Sequence, residues 1–455
     1  MTGKYTLPDF LVRNIPPYRS AAALILLTGL LGIVFKNPEI SSLSLIFLSY
    51  YLVSIKYCLS GKNRQTLILL VLCVTIYHIT AFLNSYLIEL PGVRPDSLSF
   101  LADAQDHVEV GEFSLFIDYE FYTNLLGLLY YAFGVSYYLG SEISVLALTI
   151  SLLVLDRILK ELDVDRARNV FILMCALLPS TVIIGTSPMR EASQLLLLQT
   201  TVLFAILTIK NNSLGYFMLA VVSALTFGMF HKAMLFVGVI ATFIVLVLWV
   251  KKYSRVLSYK HVIFGVVLLG GLILAVGMLV FATKSGSSHL NLREFRIPKL
   301  LMVIQKYRDY IDSTGEPNTA YGIIFKYDTV WESISSLFRV YVYYLFYPVY
   351  IKGAVSLKEI YAVFESWLRL GLFGVILYHT RWATTRLDER HYLVLVLYLL
   401  MTFIWSLGTT NYGQAIRHHV LSNWLLIVLL ASCLAASVND EDGASTGWRG
   451  LWNKL

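Results

Sequence analysis

The chain is divided into about twelve apolar runs, each close to the ~20 residues a helix needs to cross a bilayer core. They lie at 20–36, 43–59, 66–84, 141–158, 168–186, 192–209, 214–230, 233–250, 261–282, 356–378, 392–407 and 419–436. Hydrocarbon offers no partner to a backbone N–H or C=O, so only helices or closed barrels can cross it. The runs are continuous rather than alternating, which selects helices. The expected fold is all-α, a polytopic transmembrane helical bundle of about 12 spans. It forms one transmembrane domain over 1–437, followed by a polar cytoplasmic tail at 438–455. Met1–Arg19 is polar, and no small-residue cleavage site follows the first run, so that run is expected to stay as a span. Cys58, Cys73, Cys175 and Cys433 sit in or at the ends of runs without metal-ligand spacing and read as core residues.

A net charge of +7 on a chain that is 57% hydrophobic reads as membrane topology rather than nucleic-acid binding. Short loops hold Lys160, Arg166 and Arg168, then Lys251, Lys252, Arg255 and Lys260, then Arg381, Arg386 and Arg390. A bundle that starts inside puts all of them on the cytoplasmic side, with both termini cytoplasmic, as the positive-inside rule requires. The location implied is the plasma (inner) membrane, multi-pass.

The same topology leaves two long segments outside, 85–140 and 283–355. Loops of that length usually carry function. The first opens with an acidic part and continues into Tyr119–Gly134, too short to span and expected as an interfacial or re-entrant helix. The second has an amphipathic stretch, Pro298–Ile311, with Leu300, Ile304, Tyr307 and Ile311 on one face and Lys306, Arg308 and Asp309 off it. Leu337–Pro348 is a Tyr-rich interfacial candidate, and Arg339 and Lys352 are further basic candidates.

Charged residues crowd the outer ends of the spans. Asp96 follows Pro95 and can cap a helix starting at Ser97; Asp103 and Asp106 recur near helical spacing as possible secondary acids. One such carboxylate can serve as general base, and a pair can hold a divalent cation, though solvated surface acids have the same pattern. No cofactor is required by these residues, and the metal is unknown. In the turn Pro179–Glu191, Pro188 is placed to open a helix, with Glu191 as an acid in its first turn and Arg190 as a phosphate ligand or a snorkelling anchor. His231-Lys232 joins two runs and suits an anionic headgroup or an interface. Near the chain's end, Gly408, Asn411 and Gly413 permit irregular backbone before Arg417-His418-His419, which interrupts two apolar runs. Arginine forks onto phosphate oxygens, and histidine adds a donor.

Outer acids with outer Arg and His suit glycosyl transfer from a polyprenyl-phosphate-linked sugar. An acid (Asp96 or Glu191) takes the acceptor's proton, and Arg190, His231, Lys232, Arg417 and His418 stabilise the phosphate leaving group. The implied partners are the lipid bilayer, that donor, and a glycan, lipid or protein acceptor.

Pro95-Asp96-Ser, Leu-Leu-Tyr-Tyr-Ala-Phe-Gly134, the turn Asp165-Arg166-Ala-Arg168, Leu-Leu-Pro179, Arg190-Glu191-Ala and Asn411-Tyr-Gly-Gln-Ala-Ile-Arg417-His418 follow in that order. In this order the chain resembles the GT-C superfamily of polytopic membrane glycosyltransferases that use polyprenyl-phosphate-linked sugars. The resemblance implies inverting transfer on the periplasmic face with Asp96 as the catalytic acid. It departs from the pattern in two ways. Three spans precede the acidic loop, and Asp163-Val-Asp165, which has Asp-x-Asp spacing, falls on the cytoplasmic side. Two alternatives stand beside it. A polysaccharide polymerase or ligase of the Wzy or WaaL type is suggested by Arg293, Arg296 and Arg308 in the second loop. A lipid-linked sugar transporter or flippase should show charged or broken helices at mid-membrane and repeated halves. The runs read as almost free of internal charge, which counts against it.

Overall fold

The structure is a computed structural model that describes residues 7–59, 64–113, 121–165, 167–253, 301–302, 304–306, 308–309, 321–326, 328–350, 356–382 and 388–440. Several expectations lie outside these residues: the run 261–282, Arg166, Arg255, Lys260, Arg293, Arg296, Pro298, Leu300, Tyr307, Ile311, Lys352, Arg386 and the tail from 441. The side chains of Lys232, Lys251, Lys252 and Arg381 lie outside them too.

The described residues form helices α1 (Leu7–Phe35), α2 (Pro38–Leu59), α3 (Arg64–Tyr86), α4 (Arg94–Val110), α5 (Phe121–Phe133), α6 (Tyr137–Glu161), α7 (Arg168–Ala176) and α8 (Pro179–Gly185). These are followed by α9 (Glu191–Asn211), α10 (Leu214–Met229), α11 (Lys232–Tyr253), α12 (Val330–Phe346), α13 (Leu357–Trp382), α14 (Glu389–Gly408), α15 (Tyr412–Val420) and α16 (Asn423–Asp440). Among the described residues, six helices are long and apolar enough to cross a membrane. The number is eight if two bent pairs each count as one span: α7 with α8, bent by 53°, and α15 with α16, bent by 54°. Arg19–Phe35, α10 and most of α11 are apolar but shorter.

The chain divides into two compact units. Unit 1 is Met1–Leu153 with Thr181–Leu196; unit 2 is Val154–Ser180 with Leu197–Leu455. In unit 1, α1 packs on α2, α2 on α3, and α4 on α5. Lipid removes most of the hydrophobic drive between helices, so close packing and interhelical hydrogen bonds carry association. Ser44 Oγ donates to the Ile25 carbonyl at 2.9 Å, and the Tyr50 and Thr75 hydroxyls bond at 2.9 Å. A carboxyl and an imidazole meet inside the helices, with His78 Nδ1 at 2.6 Å from Glu142 Oε2 and both side chains buried.

Two sequence expectations for helix starts are corrected in this unit. α4 begins before Pro95, with Val93 as its N-cap, so Asp96 lies in the first turn rather than at the cap. Proline lacks only an N–H that the first turn leaves unbonded, so the helix starts upstream of it. Likewise Pro188 sits in a bend, and the next helix opens at Glu191.

Unit 2 is centred on α16, which packs on α7, α13 and α14. Leu421–Cys433 is buried on every face, as a helix apolar all round must be. The α10–α11 hairpin closes on glycine: a Cβ at Gly238 would strike the Ala224 carbonyl, and one at Gly228 would lie 2.7 Å from Leu235 Cα. α12 starts at a capping box, Thr329 with Glu332. The basic loops meet acids here. Arg168 Nε lies 3.0 Å from Asp156, Lys210 Nζ donates to Glu161 at 2.8 Å, and Arg390 Nη2 reaches Asp163 at 3.1 Å. The Asp163-Val-Asp165 spacing thus serves ion pairs, with Asp165 at 3.4 Å from Arg168.

Candidate functional site

Unit 1 gathers the predicted outer acids around the start of α4. Asp96, Asp103 and Asp106 are exposed, and Ser97 between them and Ala104 are buried. The Ser97 hydroxyl bonds the Tyr137 hydroxyl at 2.9 Å, and Asn84 Nδ2 donates to Tyr137 Oη at 3.0 Å and to Ser187 Oγ at 3.1 Å. This network fixes the first turn of α4, and with it Asp96, on α3 and α6. Arg190 lies over the Phe100 ring, 5.6 Å from its centroid, and Phe100 is one helical turn beyond Asp96. Glu191, in the first turn of α9, is buried. Burial raises the Tyr122 hydroxyl well above its usual value; Ser144 lowers it, Glu191 and Tyr137 raise it, and Arg190 lowers it. Tyr122 thus lies within electrostatic reach of Glu191 and Arg190. Among the described residues, no group of three His, Cys, Asp or Glu could hold a metal ion.

Unit 2 brings the predicted basic residues together around an indole. Arg417, His418 and His419 lie in the last turn of α15 rather than in a loop. Asn411 caps that helix, its side chain accepting from Gln414 N–H at 2.8 Å, so the irregular backbone is only the short break after Gly408. Basic groups at a helix C-terminus complement its dipole. The three then part company. The His418 ring stacks on Trp405, centroids 3.5 Å apart, and its Nδ1 is 2.9 Å from Thr409 Oγ1. That hydroxyl gives its hydrogen to the Trp405 carbonyl at 2.7 Å, so it accepts from His418 Nδ1–H. His231, in the α10–α11 turn, lies 4.9 Å from the same indole. Arg417 and His418 are half-buried, whereas His419 is fully buried and points inward, its Nε2–H donating to the Tyr344 carbonyl at 2.9 Å. Arg339 is exposed on α12.

Sequence reasoning misplaced one residue of unit 2 and overlooked others. Arg308, expected off the apolar face, is buried. Its Nη1 donates to the carbonyls of Ser406, Leu407 and Thr409 at 3.3, 3.4 and 2.8 Å. It caps the end of α14, whose last carbonyls need donors that only tertiary structure supplies. Glu365 and Arg369 lie in the middle of α13, inside a candidate span, so the spans are not almost free of charge. Glu365 accepts from Ser180 N–H at 2.7 Å and from Asn423 Nδ2 at 3.1 Å. Arg369 donates Nε–H to the Leu345 carbonyl at 2.7 Å and Nη2–H to Ser366 at 2.9 Å. A Glu and an Arg four residues apart inside an apolar run was a visible signal, because charge in a span is costly.

No protein-family model matches the chain, and no curated protein matches it. Among solved structures, the chain is similar to the crystal structure of the Archaeoglobus fulgidus oligosaccharyltransferase in the apo form, at 14% identity and a TM-score of 0.44. The match covers 86% of this chain and 54% of that one, so this chain spans about half the length of that protein.

Proposed function

We propose that this protein is a multi-pass membrane glycosyltransferase that moves a sugar from a polyprenyl-phosphate carrier to a glycan, lipid or protein acceptor on the outer face of the plasma membrane. The observation that carries the reading is the grouping of His231 and His418 on Trp405, with Arg417 next to His418 in the last turn of α15. His231 comes from the α10–α11 turn, far from the others in sequence, whereas Trp405 and His418 lie on the consecutive helices α14 and α15. The two histidines and Arg417 supply donors suited to charge developing on a phosphate leaving group. Lys232 adds a further positive charge at the α10–α11 turn. In unit 1, Asp96 is the proposed general base, with Glu191 as a second acid, Arg190 as their cationic neighbour, and Asp103 and Asp106 as secondary acids. The proposed topology has about twelve spans with both termini cytoplasmic, which puts Asp96 and Arg417 on the outer face. A single transmembrane domain with outer loops at 85–140 and 283–355 belongs to the same proposal.

The test is sugar transfer from a polyprenyl-phosphate sugar by the purified protein in detergent, with cysteine labelling of positions 96 and 417 from each side of sealed vesicles. Asp96→Asn or Arg417→Ala with undiminished transfer overturns the site, and labelling of position 96 from the cytoplasm overturns the topology.

A transporter of lipid-linked sugars is the second reading. It is favoured by the Glu365–Arg369 pair inside α13 and by the two bent helix pairs, features found where transporters bind substrate. Detergent separates the two, because transfer survives there and transport needs a sealed membrane. The polymerase reading loses Arg308, whose guanidinium is committed to the end of α14.

A further inference from the structure

α12 is too short to cross a membrane core, yet it packs along two helices that are long enough. Its 17 residues include Glu332 and Arg339 and rise about 26 Å, against ~30 Å of hydrocarbon. Its depth follows from the two candidate spans beside it, Leu357–Thr380 in α13 and Glu389–Gly408 in α14. Val340 clusters with Leu407 at the end of α14. One residue on, the Tyr341 hydroxyl bonds Thr402 Oγ1 at 2.9 Å, and its ring lies 6.0 Å from Phe403. Further on, the Leu345 carbonyl accepts from Arg369 Nε–H at 2.7 Å, and the Phe346 ring lies 5.6 Å from Phe373. Arg369 is ~18 Å along α13 from Leu357. The tip of α12 thus reaches the middle of α13.

The chain enters and leaves on one side. Tyr412, which follows α14, donates its hydroxyl to Glu359 in the first turn of α13 at 3.2 Å, so α14 ends where α13 begins. α12 starts on that side, because Val330 lies ~15 Å before Val340, and Val340 is already level with the end of α14. After the tip, the chain is back at the start of α13 by Ser356, whose Oγ accepts from Glu359 N–H at 3.2 Å.

A helix that stops inside a membrane leaves its last carbonyls without water. Two other helices supply the donors here. His419 Nε2–H reaches the Tyr344 carbonyl and Arg369 Nε–H the Leu345 carbonyl, and both side chains are buried. A guanidinium at a helix C-terminus also complements its dipole, which gives the charge in the middle of α13 a task. The outward stripe of α12 suits lipid. Trp331, Ile334 and Phe338 are 81%, 47% and 68% exposed, and Val342 continues their line towards the tip. Tryptophan fits the headgroup level, and the residues after it fit acyl chains. Arg339 is exposed beside Val340, at the level of the end of α14, where lipid phosphates lie.

We infer that α12 is a re-entrant half-helix that lays Trp331, Ile334, Phe338 and Val342 against membrane lipid and ends at mid-membrane, where Arg369 and His419 cap it. His419 adjoins His418, so the depth of α12 and the placing of the last turn of α15 are set together. The inference goes beyond the transferase reading.

The experiment uses the full chain in sealed phospholipid vesicles of uniform orientation, with the unsubstituted chain labelled in parallel as background. Asp328→Cys and Ser356→Cys are expected to react with a membrane-impermeant maleimide from the same side. Nitroxides on Trp331→Cys, Phe338→Cys and Val342→Cys are expected to lose access to a nickel chelate and gain access to oxygen in that order. Reaction at 328 and 356 from opposite sides would make α12 a span. Equal depth at the three labels would lay it flat on the surface, and nickel access at all three would put it in water. Each of these results overturns the inference. His419→Leu is expected to move the label at 342 outward, and His419→Gln, which keeps an N–H donor, to leave it in place. An unchanged depth in His419→Leu overturns the cap. If His419→Leu fails to fold, the labels on the otherwise unsubstituted chain still decide the path of α12. None of these readouts needs sugar transfer, so the result stands whether or not the transferase reading does.

Discussion

Trp405 and His418 stack with their ring planes 15° from parallel, and the indole also meets His231. The indole face therefore fixes the orientation of His418, and the Thr409 hydroxyl fixes which nitrogen carries the hydrogen on that side. With Nδ1–H given to Thr409, Nε2 can donate to a phosphate only in the protonated imidazolium, and the ring is held before any substrate arrives, which is what makes such a group effective. His418→Ala should lower sugar transfer about 100-fold, in line with loss of one preorganised donor. His418→Phe keeps a ring on the indole and removes both nitrogens. Transfer by His418→Phe at the wild-type rate would mean that the ring packs and does no chemistry.

Asp96 is exposed on a helix whose first turn is tied down by its neighbour Ser97. Its carboxylate faces solvent, where an acceptor can approach it. Asp96→Asn should cut kcat about 10²- to 10⁴-fold, the usual worth of a general base, with the melting temperature unchanged. Asp103→Asn and Asp106→Asn, further along the same helix, should each cost less. Equal effects of all three would point to a shared electrostatic role rather than to one base.

The helices were legible because hydropathy along a chain reports what a segment must avoid, namely water, whatever its neighbours are. Apart from 261–282, each apolar run lies on helix, two of them across a bend. Side-chain roles followed this less well. The sequence places Arg308 by its own helical face, yet its partners are carbonyls about a hundred residues later. His419 looked like His418 in sequence and turned the other way, because one turn of α15 points each neighbour to a different side. His78 and Glu142 each stand alone in an apolar run, where one polar group hardly alters the mean, whereas Glu365 with Arg369 stood out as two charges four residues apart.

The α10–α11 hairpin depends on Gly238. No side chain fits there while the Ala224 carbonyl keeps its place, so Gly238→Leu must push the two helices apart. Overpacking of this kind costs about 1–3 kcal/mol. The Tm of Gly238→Leu in detergent should fall. His231 lies at the tip of this hairpin, so transfer should fall with it. A variant that melts like the wild type would show that the contact yields without cost.

Asp388 sets an acid limit. Burial raises its carboxyl, but hydrogen bonds from His391 and Arg390 and their charges outweigh that and hold it well below the usual carboxylate range. Asp388 also caps α14, accepting from Arg390 N–H at 2.9 Å. A carboxyl with a depressed folded value stabilises fully above the unfolded value of about 3.9 and loses that contribution as pH falls through the folded one. Stability of the wild type should therefore drop below about pH 4, and that of Asp388→Asn should be lower at neutral pH and flatter through the acid range. Parallel melting curves of the two proteins from pH 3 to 6 would exclude this origin.

His78 and Glu142 make the most exacting case, because their 2.6 Å contact lies inside candidate spans with both side chains almost out of reach of solvent. Removing one partner of such a pair leaves a buried polar group with nothing to replace it, at a cost of about 3–5 kcal/mol. His78→Leu should thus destabilise strongly. Glu142→Gln keeps a polar group facing the imidazole and should cost nearer ~1 kcal/mol. The double variant His78→Leu with Glu142→Leu should cost less than its two single changes combined, since each alone strands the other side chain. The measurement is a double-mutant cycle from denaturant unfolding in detergent, with an interaction term of about 0.5–3 kcal/mol expected. Additive single effects would mean that the two groups are each satisfied without the other, and that their closeness contributes nothing to the stability of unit 1.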